Sequence, residues 1–382
     1  MRIEAPWIRR PETQAVCAML TGAGFQALFV GGCVRNALLH APVTDIDIST
    51  DAPPETVIAL AEKAGLHPVP TGIEHGTITV VSGHVPHEVT TFRRDVETDG
   101  RRAVIAYAAR PEEDAHRRDF TMNALFATPD GKILDPLGGL ADLRARRVRF
   151  IDDATARIRE DFLRILRFFR FHAWYGDPEA GLDPDGLAAC AGNAAGIETL
   201  SRERIGAEMK KLLAAPDPAP SVAAMARAGV LAHALPGADA TALAPLIHHE
   251  AETGVEPEPI RRLAALGGQD VPGALRLSRD EARRLAQLRD GVGLDLGAAG
   301  LGYRLGFAPA RDIVLLRAAL IETRVPAGWQ AEARRGAAAV FPVRAADLMP
   351  GLQGPALGAK LKELEARWIE SDFEMTKEQL LA

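Results

Sequence analysis

Gly31-Gly32-Cys33-Val34-Arg35, followed ten residues later by Asp45-Ile46-Asp47, is the part of the sequence that decides the fold. A short apolar run over residues 27–30 leads into the glycine pair, which predicts a strand that ends in a tight turn. Glycine lets backbone N–H groups approach a phosphate closely, and Arg35 offers a planar charge to the same group. The first run therefore predicts a phosphate-binding turn.

The second run lies on a predicted strand from Thr44 to Thr50. Alternation along a strand sends Asp45 and Asp47 to one face and the intervening isoleucines to the other. Two carboxylates about 7 Å apart on one face can share hard divalent cations. A glycine pair alone is more often a plain turn, and an Asp-x-Asp alone is more often a solvated strand end. Together they predict metal-assisted nucleotidyl transfer.

In this order and spacing, the two runs resemble the polymerase-beta-like nucleotidyltransferases. The similarity is to the branch that contains the CCA-adding tRNA nucleotidyltransferases and the bacterial poly(A) polymerases. The resemblance implies that Gly31 and Gly32 grip a triphosphate and that Asp45 and Asp47 hold Mg2+ as catalytic residues. One departure is Asn36, because the family usually has aspartate after the Val-Arg pair.

Two further runs carry the same resemblance. In His87-Glu88-Val89-Thr90-Thr91-Phe92-Arg93, it implies that Glu88 is a third catalytic carboxylate, although an exposed glutamate of an edge strand would look the same. In the run over 117–124, arginines can neutralise a triphosphate, and Asp and Asn side chains can hydrogen-bond a sugar. By itself this run would be a capped helix start. The resemblance implies nucleotide binding by Arg118, Asp119 and Asn123.

The run Glu160–Arg170 bears on the substrate. Its apolar spacing predicts one helix over 153–173, with Asp161 and Arg164 side by side at i and i+3. An aspartate accepts from an exocyclic amine and an arginine donates to the adjacent ring acceptor, a polarity that suits cytosine and adenine. A plain surface ion pair is the alternative. The similar family motif implies base selection, with Arg167 and Arg170 also binding nucleotide.

The pattern of elements predicts an α+β head followed by an all-α remainder. The resemblance implies that the head has the polymerase-beta-like nucleotidyltransferase fold. It also implies a catalytic head over 1–140, a helical neck over 141–215 that selects the base, a helical body over 216–335 and a tRNA-binding helical tail over 336–382. The polar segment from Asp95 to Arg110 predicts a mobile loop. Asp135-Pro136-Leu137-Gly138-Gly139 resembles the hinge between head and neck in that family, because proline stiffens the entry and two glycines permit rotation. A plain turn between domains would look the same.

Composition narrows the class of protein. Of 382 residues, 47% are apolar and 25% are charged, which is ordinary for a globular chain. No apolar run reaches the ~20 residues of a membrane span, and we expect no signal peptide. Three scattered cysteines indicate a reducing cytoplasm. The net charge of −6 argues against indiscriminate nucleic-acid binding, but nine arginines against four acids over 144–170 predict a local phosphate-binding face.

The leading interpretation is therefore template-independent addition of CMP and AMP from CTP and ATP to the 3′ end of tRNA. A poly(A) polymerase with the same head is the nearest alternative. A non-catalytic RNA-binding regulator is a more distant one, because it has no need of Asp45, Asp47, Asp161 and Arg164 together. The chain lacks a His-Asp dipeptide, so we expect no phosphohydrolase activity. The sequence carries no indication of oligomeric state.

Overall fold

The computed structural model describes residues 1–99, 102–349 and 351–382, without the side chains of 95–99 and 102–105. The chain folds as two compact units. The first contains Met1–Glu208 and Arg227–Ala234, and the second contains Met209–Ala226 and Leu235–Ala382. None of the helices in the described ranges combines the length and the apolar character that a membrane span requires.

Nine strands are described, and all of them belong to the first unit. They are β1 Leu28–Val30, β2 Asp47–Thr50, β3 His67–Gly72, β4 Thr77–Ser82, β5 Val85–Thr91, β6 Arg93–Asp99, β7 Arg102–Tyr107, β8 Phe126–Ala127 and β9 Ile133–Leu134. Seven of them form one sheet in the order β3-β4-β5-β2-β1-β8-β9. Within it, β2 and β5 are parallel and the other neighbouring pairs are antiparallel.

Helices dominate after the sheet. Those of the first half are α1 Pro11–Gly22, α2 Gly32–Leu38, α3 Pro54–Lys63, α4 Pro111–His116, α5 Gly139–Arg144, α6 Ala154–Glu160, α7 Leu163–Tyr175, α8 Pro184–Gly192, α9 Arg202–Leu213 and α10 Ala219–Arg227. Those of the second half are α11 Val230–Ala234, α12 Leu243–Thr253, α13 Pro259–Leu266, α14 Val271–Ala274, α15 Arg279–Val292, α16 Ala298–Leu305, α17 Phe307–Leu320, α18 Trp329–Ala338, α19 Ala345–Leu348, α20 Gly354–Glu370 and α21 Lys377–Leu381. Short 3-10 turns cover Ile73–His75, Thr121–Asn123 and Ala194–Thr199. The predicted α+β head and helical remainder are confirmed.

The central strands are held by apolar side chains that alternate with polar ones. Ile46 and Ile48 are buried, whereas Asp45 is exposed and Asp47 is half-buried. This is the alternation that the sequence predicts, although strand β2 begins only at Asp47 rather than at Thr44. The apolar side packs into the head, so the carboxylates are left on the open side.

A cluster of phenylalanines joins helix α7 to the segment before β8. Phe120 packs against Phe150, Phe168 and Phe171, with ring centroids 4.9, 6.3 and 5.0 Å apart. All four side chains are almost fully buried. Because Phe120 is anchored in this way, its neighbour Asp119 faces the polar side of α7.

Two predictions of local structure are wrong. The expected loop over 95–110 contains the antiparallel strands β6 and β7, and its predicted centre at residues 100–101 lies outside the described residues. The expected single helix over 153–173 breaks at Asp161, whose φ of −156° and ψ of 104° are extended. Its carboxylate accepts from the backbone N–H of Leu163, so it competes with helical pairing and starts a new helix.

Gly139, predicted to be part of a hinge, lies at a point of close packing. A Cβ at this position would lie 2.1 Å from the carbonyl oxygen of Thr121. The carboxylate of Asp135 accepts from the N–H groups of Gly139 and Leu140, at 2.8 and 3.0 Å, and so caps the start of α5. The absent side chain is what lets α5 approach the segment that follows Asp119.

The second unit contains a buried ionic cluster, here called the Glu250 cluster. Its members are Arg261, Arg262, Glu250 and Asp312, each no more than 2% exposed. Glu250 accepts from both arginines, and Arg261 also pairs with Asp312 at 2.9 Å. Arg262 donates to the carbonyls of Leu213, Ala215 and Pro216, where α9 ends. Each arginine therefore has several partners, as a buried charge requires.

Candidate active site

The glycine turn connects β1 to α2. Gly31 has a φ of +68° and a ψ of −120°, which a residue with a side chain rarely adopts. A Cβ there would also lie 3.3 Å from Nη1 of Arg118. Helix α2 starts immediately after the turn, and no side chain caps its first N–H groups. The turn thus presents backbone donors next to a guanidinium group.

The predicted carboxylates meet across two parallel strands. Asp47 on β2 is in register with Glu88 on β5, and the N–H of Glu88 donates to the carbonyl of Ile46 at 3.1 Å. Glu88 is exposed, on the same open side as Asp45 and Asp47. The structure therefore brings these three side chains to one edge of the site.

Crowding of the carboxylates changes the acidity of Asp47. Burial, together with the nearby negative charges of Glu88 and Asp45, raises its pKa to about 6, although Arg118 acts in the opposite direction. Within the described parts of the chain, no group of three or more His, Cys, Asp or Glu side chains is placed so that it could hold a metal ion. Two carboxylates that repel each other and lie open still suit a hard divalent cation whose other ligands come from a substrate. Asp45 and Asp47 fit such a cation.

Arg118 is held beside the turn by a buried acid. Its Nη2 and Nε lie 2.8 and 3.1 Å from Asp114, whose side chain is fully buried on α4. Burial opposes ionisation of Asp114, but Arg118 and Arg117 outweigh it and lower the pKa of the carboxyl. Asp114 therefore stays charged and fixes both arginines. Sequence reasoning missed this residue, although its place in an acidic first turn and its spacing of three and four from Arg117 and Arg118 are both signals.

Arg35 is more enclosed than expected. It is 6% exposed, and burial lowers the pKa of its guanidinium. Nη1 donates to Oδ1 of Asn123 at 2.5 Å, while Nε and Nη2 donate to Asn36. The guanidinium also lies over the ring of Tyr175, 4.0 Å from its centroid. Its predicted contact with the triphosphate stays a prediction, and Tyr175 is a partner that sequence reasoning missed.

A chain of hydrogen bonds, here called the Asp119 network, continues from Arg35. Asn123 accepts from Arg35 and donates to Asp119 at 2.8 Å. The other oxygen of Asp119 accepts from Nε and Nη2 of Arg167, at 2.7 and 2.6 Å. The network ends with Arg167, Glu208 and Arg170, where Nε of Arg170 lies 2.6 Å from Glu208.

The pKa of Asp119 reflects this network. Burial opposes ionisation, but the charge of Arg167 and the hydrogen bonds from Asn123, Arg167 and the Phe120 N–H lower the pKa to about 2. The carboxylate is therefore ionised at any working pH. Four of the predicted nucleotide-binding residues, namely Arg35, Asn123, Asp119 and Arg167, are thus linked directly to one another.

Asp161 and Arg164 do not pair with each other. Asp161 accepts from Nη2 of Arg204 at 2.6 Å. Arg164 pairs with Glu160 at 2.5 Å and donates to the carbonyls of Arg157 and Arg117. The predicted side-by-side placement on one helix is therefore wrong, because the helix breaks at Asp161. Their predicted role in base selection stays a prediction.

These features define a nucleotidyltransferase head: a strand, a glycine turn and a helix beside carboxylates on adjacent strands, with arginines around them. The family model of the poly A polymerase head domain matches residues 27–149. A second model, described as a probable RNA and SrmB-binding site of polymerase A, matches residues 181–241.

Comparison with known proteins narrows the class of nucleotidyltransferase to which the chain belongs. The chain is 31% identical over 376 residues to the mitochondrial CCA tRNA nucleotidyltransferase 1 of Danio rerio, covering 94% of this chain and 86% of that protein. It is 42% identical over 204 residues to the CCA-adding enzyme of Leuconostoc citreum, covering 53% and 49%. The crystal structure of the Bacillus stearothermophilus CCA-adding enzyme in complex with CTP has a TM-score of 0.74 at 28% identity, covering 97% and 95%. The chain belongs to the CCA tRNA nucleotidyltransferase family.

Proposed function

We propose that this enzyme adds CMP and AMP from CTP and ATP to the 3′ end of tRNA, without a nucleic-acid template. One structural observation carries the proposal: Asp47 lies in register with Glu88 beside the Gly31 turn. The similarity to a relative named CCA tRNA nucleotidyltransferase extends over 94% of this chain and supports the same substrate.

In this proposal the carboxylates of Asp45 and Asp47 hold Mg2+, and Glu88 completes the acidic edge. When bound, Mg2+ would activate the 3′-hydroxyl of the RNA and neutralise charge on the α-phosphate. The N–H groups of the glycine turn and the guanidinium of Arg118 hold the triphosphate in place. The 3′-hydroxyl oxygen then bonds to the α-phosphorus and gives its proton to water, while the bond from the α-phosphorus to the bridging oxygen breaks and pyrophosphate leaves.

Base selection is assigned to the segment around Asp161. Asp161 pairs with Arg204, and Arg164 pairs with Glu160. Binding of a base therefore exchanges one set of polar partners for another, which limits the net cost of exposing either charge. Arg167 and Arg170 lie on the same face of α7 and are held there by the Asp119 network. In this proposal, their positive charges neutralise phosphate groups of the nucleotide.

The proposed division of labour follows the expected domains. Residues 1–140 carry the chemistry, 141–215 select the base, 216–335 form the body, and 336–382 bind tRNA. A cytoplasmic location agrees with the three cysteines, which are all free and buried in the structure.

The test uses tRNA transcripts that end before the CCA triplet, incubated with CTP alone, ATP alone or both. We expect two cytidylates with CTP alone, and a single further adenylate when ATP is also present. Long adenylate tracts on any RNA with ATP alone would instead identify a poly(A) polymerase. RNA binding without any transfer would identify a regulator that lacks catalysis.

A further inference from the structure

Asn36 is bonded to two parts of the active site at once. Its side-chain Oδ1 accepts from Nε and Nη2 of Arg35, at 3.1 and 2.8 Å. Its side-chain Nδ2 donates to the carbonyl of Pro42 at 2.7 Å. Its own carbonyl accepts from the N–H of Ala41 at 2.8 Å. One half-buried residue thus bridges Arg35 and the segment that follows α2.

That segment leads directly to the carboxylates. It runs over residues 39–46, from the end of α2 to the start of β2, and it contains Asp45. Its first residues form the C-terminal cap of α2. His40 has a φ of +56°, and the N–H groups of His40 and Ala41 donate to the carbonyls of Ala37 and Asn36. The bond from the Asn36 side chain to Pro42 lies between this cap and Asp45.

The chemistry of the amide group explains why both bonds form. An amide has one acceptor oxygen and one donor nitrogen, whereas a carboxylate only accepts. An aspartate at this position would keep the bond from Arg35 and strengthen it with charge. It would lose the bond to Pro42 and place a negative oxygen against a carbonyl oxygen.

We propose that Asn36 is a positioning residue, which fixes Asp45 through its bond to Pro42 rather than through Arg35. The inference rests on the proposed function, because it concerns one of the same carboxylates. It predicts that the donor nitrogen of Asn36 matters for turnover, and that the acceptor oxygen alone does not suffice.

The experiment compares Asn36→Asp, which keeps only the acceptor, with Asn36→Leu, which keeps neither group. Loss of one hydrogen bond of about 1 kcal/mol corresponds to about a fivefold effect. We expect both variants to lower kcat by about fivefold and to require several-fold more Mg2+ for half-maximal rate. We also expect Asn36→Asp to leave the KM values for CTP and ATP unchanged.

A second measurement does not depend on catalysis. Amide hydrogen exchange over residues 39–46, followed without metal or nucleotide, should be faster in both variants, while exchange in α3 stays unchanged. Normal kcat and normal exchange in Asn36→Asp, with losses confined to Asn36→Leu, would overturn the proposal and assign the role to Arg35. If the unmodified enzyme transferred no nucleotide to tRNA, the proposed function would fail, whereas the exchange measurement would still decide the role of Asn36.

Discussion

The Asp119 network and the Glu250 cluster are made from the same groups but differ in exposure. In the first, the side chain of Arg167 is 30% exposed and that of Asp119 is 9% exposed. In the second, Arg261 and Asp312 are both fully buried. Water and a charged ligand can reach the first set of arginines and not the second.

This difference separates binding from structural stability. A partly exposed arginine can exchange one anionic partner for another at low cost, because water screens the intermediate states. A sealed arginine cannot, since losing one partner leaves an uncompensated charge in a low-dielectric interior. We therefore expect substitutions in the Glu250 cluster to cost the most stability, and substitutions among the exposed carboxylates and the Asp119 network to affect catalysis, with a smaller cost in stability.

The largest expected effect concerns the carboxylates on the open side. Asp47→Asn should lower nucleotide transfer by at least about a thousandfold, because the variant loses a carboxylate that holds the metal in the proposed mechanism. The thermal midpoint in EDTA at pH 8 should not fall, since repulsion from Glu88 and Asp45 is relieved. Single-turnover assays with excess enzyme and calorimetry measure the two effects.

The matched control is Glu62→Gln, which makes the same chemical change at an exposed position on α3. It should leave both measurements unchanged. If the turnover of Asp47→Asn were within tenfold of that of the unmodified enzyme, the assignment of Asp47 as a catalytic residue would be wrong.

The Glu250 cluster is tested by Arg262→Met, which keeps most of the side-chain volume and removes the positive charge. Glu250 loses one partner, and three carbonyls at the end of α9 lose their donor. We expect the free energy of unfolding to fall by about 3–5 kcal/mol, measured by urea denaturation.

Arg283→Met provides the comparison, because Arg283 forms an exposed pair with Asp280 on α15. Arg283→Met should lower the free energy of unfolding by no more than about 1 kcal/mol. Equal losses of unfolding free energy in the two variants would contradict the distinction between exposed and buried ion pairs.

Acid should weaken the Asp119 network in a defined range. The pKa of Asp119 is lowered in the folded state, so its contribution to stability is present above the unfolded value of about 4. That contribution is lost as the pH falls toward 2, and it amounts to about 2 kcal/mol. The difference in unfolding free energy between the unmodified protein and Asp119→Asn should therefore shrink from pH 6 to pH 3. A difference that is constant with pH would show that the carboxylate is not held in its charged form.

The smallest expected effect concerns the choice of base. Asp161→Ala should reduce the preference for C and A over U and G by about ten- to a hundredfold, because a bidentate contact is worth about 1–3 kcal/mol. Arg204→Gln should have a weaker effect in the same direction, since Arg204 only orients Asp161. The exposed Arg202→Gln on the same helix serves as the control. Unchanged ratios of kcat/KM for the four nucleotides would make Asp161 a structural residue.

Local sequence patterns predicted strand β2 and the glycine turn of the head. The alternation around Asp47 and the glycines at 31 and 32 were sufficient for this, because strand periodicity and a positive φ depend on neighbouring residues alone. The break at Asp161 was not predictable in this way, since the apolar stripe of α7 continues in register through it. The partners of Asp161 and Arg35, namely Arg204 and Tyr175, come from distant parts of the chain. Sequence spacing contains no information about those contacts.

The close approach of Gly139 to the Thr121 carbonyl has a consequence for genetic variation. Any side chain at position 139 pushes on the segment that follows Asp119, because the added carbon would lie 2.1 Å from that oxygen. A missense change there would leave every chemically active group in the protein intact. If Asp119 binds nucleotide as proposed, an organism that carried the change would show a defect in nucleotide binding, arising at a residue that has no functional group to lose.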